Sequence, residues 1–404
     1  MKLGYKKLGD YIRLVDERNR NLEVETLLGV SIRKVLMPSI ANTIGTDMST
    51  YKIIRKNQFA YGTVTSRNGD KISIALLKEF DKALVSQIYL VFEVINESLV
   101  LPDYLMMWFR RPEFDRYARF KSHGSARETF EWAEMLETEL PIPSLEKQKE
   151  LIEEYGAIEN RIQLNKKLCA TLEETAQTIY KHWFEDFEFP DENGKPYQSS
   201  GGEMVECEKF GKEIPNGWRV GKYFDLVTLN GGGTPSTNNS EFWSGNIPFF
   251  TPKDCGQNVY TISTEKNITG LGLKNCSSKL YDINTCFVTA RGTVGNIALA
   301  GEKMAMNLSC YAFLGKTNEH PYFIHQLSIK VMEKLKKQAL GAVFSALVTS
   351  DFNNINISIP ENKVIDQFEN FMRSVYEKLL TITKQNQKLE ELQSLLLGKM
   401  AVEI

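Results

Sequence analysis

Gly341-Ala342-Val343 and, after a β-like stretch, Ile359-Pro360 repeat Gly124-Ser125-Ala126 and Ile142-Pro143 at one separation, since 341 − 124 and 360 − 143 are both 217. No residue is gained or lost between the anchors, and each Ile-Pro hands over to a long helical pattern. Leu8-Gly9-Asp10-Tyr11-Ile12-Arg13-Leu14-Val15 opens the first copy and lines up with Val220-Gly221-Lys222-Tyr223-Phe224-Asp225-Leu226-Val227 in the second. Mid-copy, Arg67-Asn68-Gly69-Asp70-Lys71-Ile72-Ser73-Ile74-Ala75-Leu76 resembles Arg291-Gly292-Thr293-Val294-Gly295-Asn296-Ile297-Ala298-Leu299. A period this long excludes a solenoid, whose repeats run to tens of residues. The chain reads as two similar globular halves, a pseudo-two-fold molecule suited to a target read in two parts.

Residues 1–143 and 218–360 each read as short strands and turns with one helix, an α+β class with two tandem α/β domains. Gln58–Thr65 and Ile88–Val94 carry the β-branched and aromatic content of strands. Asp103–Arg119 reads as the helix of the first copy and Pro321–Gln338 as its counterpart. Long helices are expected over 144–187 and 361–404. In the first, Tyr155, Ile158, Ile162, Asn165, Cys169, Leu172, Ala176, Ile179 and Trp183 step by threes and fours; in the second, Val375, Leu379, Ile382, Asn386, Leu389, Gln393, Leu396 and Met400 do the same. That spacing is the seam of a coiled coil, and the Asn in each seam suits a register-fixing polar pair. Two long antiparallel helices forming a coiled-coil-like spacer are therefore expected. The alternative is two amphipathic helices packed separately on their own domains. Residues 188–217, with Pro190, Gly194, Pro196, Ser199-Ser200-Gly201-Gly202 and Pro215, read as a surface linker with a small hairpin at Asn193-Gly194.

With 404 residues, 42% hydrophobic and 25% charged, the chain has the composition of a soluble protein of two or more domains. No run approaches 18 apolar residues, and the N-terminus lacks the apolar core of a signal peptide, so cytoplasmic residence is expected. The net charge of −2 excludes a protein that coats DNA nonspecifically; positive charge for DNA would have to be local. The six cysteines form no CxxC pair, and His123, His182, His320 and His325 do not group at ligand spacing, so neither a disulfide framework nor a metal site is expected. Asn230-Gly231-Gly232-Gly233-Thr234-Pro235 is followed by no Gly-Lys-Ser/Thr, and Pro235 opposes helix entry, which argues against a nucleotide loop. An amino-methyltransferase would need a Rossmann glycine turn and an Asn-Pro-Pro-aromatic tetrapeptide, and the chain has neither. It reads as a recogniser of a target with no catalysis of its own.

Two basic features recur. Arg110, Arg111, Arg116, Arg119 and Lys121 precede Gly124; Lys330, Lys334, Lys336 and Lys337 precede Gly341, with Arg119 and Lys336 again 217 apart. Such faces suit phosphate contact, although basic helical faces are also ordinary solvated surface. The second feature is an Arg beside Gly in a turn, Arg67 in one copy and Arg291 in the other, a placement that extends a guanidinium fork toward a guanine edge or a phosphate. Hydroxyl and amide groups in Gly233–Ser240 add possible phosphate or base contacts.

Gly232-Gly233-Thr234-Pro235-Ser236-Thr237, Phe242-Trp243-Ser244-Gly245-Asn246-Ile247-Pro248-Phe249, Ala290-Arg291-Gly292-Thr293-Val294-Gly295-Asn296, Phe352-Asn353-Asn354-Ile355 and Leu395-Leu396-Leu397-Gly398-Lys399-Met400 together resemble the specificity subunit of type I restriction–modification systems. The first copy departs from the pattern: it carries Ser31-Ile32-Arg33-Lys34 and Met37-Pro38-Ser39 in place of a Gly-Gly-Thr-Pro loop. The resemblance implies a non-catalytic DNA reader. Target-recognition domains at 1–143 and 218–360 would each read half of a split target, and spacer helices at 144–187 and 361–404 would set the gap. A 40-residue helix spans about 60 Å. The implied partners are double-stranded DNA, two methyltransferase subunits and motor-nuclease subunits, which would bring S-adenosylmethionine, ATP and Mg; this chain would bind no cofactor itself. Expected DNA contacts are Arg33, Lys34, Arg67, Lys71, Arg119 and Lys121 in the first copy and Thr234, Ser236, Thr237, Lys253, Arg291, Thr293, Asn296 and Lys336 in the second. Expected partner-binding positions are Ile158, Ile162, Asn165, Leu172, Ile179, Ile382, Asn386, Leu389 and Leu396. Rival readings are a related modification system of another type, a self-contained enzyme, and a coiled-coil scaffold without DNA specificity.

Overall fold

The β-rich stretches fold because each central strand buries both faces, so alternate side chains feed two different cores. In a computed structural model, which describes residues 5–39, 45–66, 69, 71–124, 127–256, 258–316, 320–338 and 346–401, the chain is mixed α+β and divides into two units. One unit comprises 1–162 with 388–404, the other 163–387. Arg67, Ser125-Ala126 and the Gly341-Ala342-Val343 anchor lie outside the described residues; Gly124 holds φ at 133°.

In the first unit Ile12–Val15, Leu90–Val94, Phe59–Gly62 and Ser73–Leu76 form an antiparallel sheet in that order. Phe59, Tyr61, Ile74 and Phe92 enter the core beneath the helices, while Ala60, Leu77 and Val91 enter a second cluster on the other face. In the second unit Val227–Gly231, Cys310–Gly315, Cys286–Thr289 and Ile297–Ala300 take the same order. Tyr260–Thr261 adds a fifth strand, parallel to Ile297–Ala300. Cys286, Val288, Leu299 and Phe313 join one core, and Phe287, Ala298 and Ala312 the other.

The ladders match residue for residue. Phe59 faces Leu76 and Phe92, as Cys286 faces Leu299 and Phe313. Ile74-Ala75-Leu76 and Ile297-Ala298-Leu299 therefore hold the same places. The opening anchor is corrected. Tyr5–Lys7 pairs with Glu139–Pro141 and Arg219–Lys222 with Asn356–Ile359. Leu8 N–H then donates to Thr138 O at 2.8 Å, as Tyr223 N–H does to Ile355 O at 2.9 Å. Leu8, not Tyr11, is the counterpart of Tyr223; the ladder overrides the Gly-x-Tyr likeness.

The expected helix Asp103–Arg119 is two helices, Pro102–Arg110 and Pro112–Lys121. Pro112 bars helical geometry to the residue before it, and Arg111 accordingly sits at φ −64°, ψ 133°. Pro321–Gln338 has no internal proline and runs unbroken. Its start is held by Glu369, whose carboxylate accepts from the N–H groups of Tyr322 and Phe323 at 3.2 and 3.0 Å. Burial raises the Glu369 pKa, and those two donors oppose the rise.

Leu145–Phe184 and Asn362–Lys399 are the long helices. In the second unit Tyr180 meets Phe368 and Asn165 meets Asn386, so the segments run antiparallel there. Asn165 Nδ2 donates to Asn386 Oδ1 at 2.8 Å, both side chains buried. In the first unit Gln393 Nε2 donates to Glu159 at 2.7 Å. The stretch read as a linker is folded: Phe189 stacks on Tyr197 and Trp218 inside the second core, and Met204–Cys207 pairs with Lys212–Pro215. Near Asn193-Gly194 the chain turns back with Pro190 opposite Pro196. Among the described residues no helix is long and apolar enough to cross a membrane.

Candidate nucleic-acid interface

In the second unit Gly231, Thr289 and Cys310 lie at one end of neighbouring strands, and Ile297 starts the next strand there. Three loops leave that end together. The Gly232-Gly233 backbone passes so close to its neighbours that a Cβ on Gly232 would lie 1.9 Å from Asn307 O, and one on Gly233 2.3 Å from Ser277 Oγ. Glycine is required here by packing, which explains the run without a phosphate cradle. Thr234 Oγ1 then accepts from Leu308 N–H at 3.4 Å, leaving Ser236 and Thr237 exposed. On the other side of the same segment, Ser309 O accepts from the N–H groups of Ala290 and Arg291.

The Arg291 loop is braced from several directions. Thr289 Oγ1 donates to Thr293 O and accepts from Asn296 N–H at 3.1 Å. Lys336 Nζ donates to Gly295 O at 3.2 Å, and Thr293 Oγ1 to Pro252 O at 3.4 Å. The last bond brings the neighbouring Lys253 to the group; its ammonium is 3.7 Å from Glu265 and its side chain 80% exposed. Thr234, Ser236, Thr237, Lys253, Arg291, Thr293, Asn296 and Lys336 thus converge, although they span a hundred residues of sequence. Arg291 is exposed and has no ion pair among the described residues. Lys336 acts on the loop, anchoring it through Gly295. A held loop presenting a free guanidinium, an ammonium and hydroxyls can bond phosphates and base edges. Leu308 and Ser309, which join the two loops, were not expected; their polar context carries no distinctive motif.

The first unit has a comparable but differently built end. Thr65 Oγ1 donates to Ser122 Oγ at 3.0 Å, and Thr65 N–H to Glu128 O, which ties the turn before Arg67 to the end of Pro112–Lys121. Lys71 is exposed after that turn, as is Arg33. Arg119 is ion-paired with Glu128, and Lys121 lies 3.8 Å from Glu134. Lys34 is a correction. It is buried, its ammonium 2.7 Å from Asp115 and bonded to Phe109 O, with Asp115 also accepting from Ile72 N–H. Burial lowers its pKa, and Asp115 opposes that. Lys34 ties a loop to the paired helices and is not presented at the surface. Arg111 is likewise buried, its guanidinium 4.2 Å above the Trp108 ring.

The expected partner-binding seam is also corrected. Ile162, Asn165, Ile382, Asn386 and Leu396 are buried, and Ile158, Leu172, Ile179 and Leu389 are half-buried. They hold the helices within the chain. The large apolar residues these helices leave exposed are Leu164, Leu168, Phe371, Leu392 and Leu395. The spacings 164/168 and 392/395 put each pair on one helical face.

Residues 215–393 match the family described as Type I restriction modification DNA specificity domain. The specificity subunit of the HindI type I restriction enzyme from Haemophilus influenzae is 25% identical, the alignment covering 91% of this chain and 90% of that one. The MjaIX specificity subunit from Methanocaldococcus jannaschii is 26% identical over 76% of this chain and 70% of its own. The crystal structure of a type I restriction–modification S subunit from M. genitalium shares the fold, with a TM-score of 0.56 at 11% identity, covering 99% of this chain and 96% of that one.

Proposed function

We propose, from the premise that this chain is a specificity subunit of the type I restriction–modification family, that it selects DNA by reading two half-sites. One would be read by the sheet end carrying Arg291, the other by the end carrying Lys71. The observation that supports this is the matched ladder of the two units, with the candidate contacts gathered at one sheet end in the second. The subunit has no catalytic role. It works in the cytoplasm, where the long helices set the gap between half-sites and dock methyltransferase subunits through the exposed Leu164, Leu168, Phe371, Leu392 and Leu395. Those subunits supply S-adenosylmethionine, and motor-nuclease subunits supply ATP and Mg chemistry.

The test is selection from a randomised duplex library by the chain assembled with its methyltransferase subunits. Two short fixed sequences at a constant gap are expected. A single uninterrupted motif would leave one sheet end without a target, and recovery without sequence preference would favour the scaffold.

A further inference from the structure

The two units differ at one sheet edge. In the second, Leu299 N–H donates to Val259 O at 2.7 Å and Gly301 N–H to Thr261 O at 2.8 Å, so Tyr260–Thr261 completes the sheet. Tyr260 is buried and its hydroxyl donates to Asn284 Oδ1 at 2.7 Å. The first unit carries the same ladder up to that point. Leu77 N–H bonds Gln58 O as Ala300 N–H bonds Thr285 O, and Asn57, at φ 66°, answers Asn284 at φ 70°. By the alternation of an antiparallel ladder, Leu76 N–H points outward as Leu299 N–H does. Among the described residues no backbone acceptor meets Leu76 or Lys78, and no fifth strand is present.

A groove of about 420 Å³ lies along that edge, its walls including Leu28, Leu36, Leu76, Met106, Tyr155 and Gly156. Gly156 stands inside a 40-residue helix, where glycine is a poor helix former, yet a Cβ there would meet nothing within 4 Å. Among the described residues nothing packed against it requires a glycine. Most charges at the rim are closed within the unit: Lys78 bonds Asp103 at 2.6 Å, Arg110 bonds Tyr155 at 3.1 Å, Glu159 accepts from Gln393 and Lys34 pairs with Asp115, while Glu79 stands exposed at the rim. The groove therefore offers free backbone donors beside an apolar strip of Leu28, Leu36, Leu76 and Met106, and its complement is an extended, mainly apolar segment without acidic residues near Glu79.

We propose that this groove takes such a segment from the methyltransferase partner, added as a strand beside Ser73–Leu76 with a side chain laid over Gly156. The template is the chain's own Tyr260–Thr261, and an open sheet edge is the standing site for strand addition. The proposal rests on the functional reading above. It is tested by amide hydrogen exchange on the full chain, free and in complex with the methyltransferase subunit. Exchange at Leu76 is expected to slow by roughly tenfold or more in the complex. Gly156→Leu, which fills the groove from a position with open space, should keep or raise the thermal midpoint while weakening assembly by roughly tenfold or more. Gly156→Ala should fall between. A wild-type complex in which Leu76 exchanges as in the free chain, or unaltered assembly by Gly156→Leu, overturns the proposal alone. Protection of Leu76 by DNA without the subunit overturns it too. Failure of the wild-type chain to bind the subunit overturns both the proposal and the reading beneath it.

Discussion

Replacing Asn165 with Leu should destabilise the second unit, and replacing Asn386 as well should restore it. The two amides share one bond of 2.8 Å at positions 2% and 7% exposed. Either single change strands a buried polar group, at a cost of about 1–3 kcal/mol, or about 1.5 kcal/mol taken toward the middle. The double change leaves two apolar groups facing each other and should lie near the wild type, since replacing both partners of a buried bond is close to neutral. Two independent losses would sum to about 3 kcal/mol, so the coupling is about −3 kcal/mol. Urea unfolding followed through Trp183, buried in the same unit, measures each variant, and amide exchange assigns the loss to these helices. Additive losses, with the double variant about 3 kcal/mol below wild type, would refute the pairing. A restored double variant should also hold its register less strictly, because a polar seam pair excludes slipped alternatives. Its modification motif would then show a broadened gap.

Arg291→Ala should weaken specific binding by about 1–3 kcal/mol and relax selectivity in one half-site if the guanidinium reads a base; a loss equal across all duplexes, with a shallower salt dependence, would make it a phosphate contact. Lys34→Met should cost about 3–5 kcal/mol of stability by leaving Asp115 buried and unpaired, while the DNA affinity of the folded protein stays unchanged; a selective affinity loss would restore Lys34 to the interface. His325 is buried with Nδ1 2.8 Å from the Tyr376 hydroxyl, and burial pushes its pKa down to about 3 from an ordinary value near 6.5. The unfolded chain therefore takes up a proton first as pH falls. The stability this group contributes is full above pH 6.5 and is lost toward pH 3, by about 2 kcal/mol between pH 7 and 5. His325→Gln should flatten that part of the Tm–pH curve, and an unchanged slope would place the sensitivity elsewhere.

Readability of the sequence followed the range of the interactions that decide each feature. The long helices and their Asn positions were readable because a 3.5-residue spacing is local and repeats for eight steps in one seam and seven in the other. The break at Pro112 was equally local, and reading the apolar stripe through it was the error. Register at the start of each copy depended on a ladder to residues more than a hundred positions away, so a Gly-x-Tyr likeness misplaced it by three residues. Charge was the weakest guide to the interface. Lys34 and Arg291 look alike in sequence, and only the fold turns one inward onto Asp115 and holds the other outward. Glycine told more where its reason was missing: Gly232 is explained by Asn307, and Gly156 by nothing among the described residues.

The most direct measurement is a genome-wide map of modified adenines in the host, with and without this gene. The account predicts loss of one split motif, two short halves around a fixed gap, and its return with one half relaxed when Arg291→Ala is supplied. An unchanged map in cells that demonstrably modify DNA through its partner subunits would contradict the claim that this chain chooses the target.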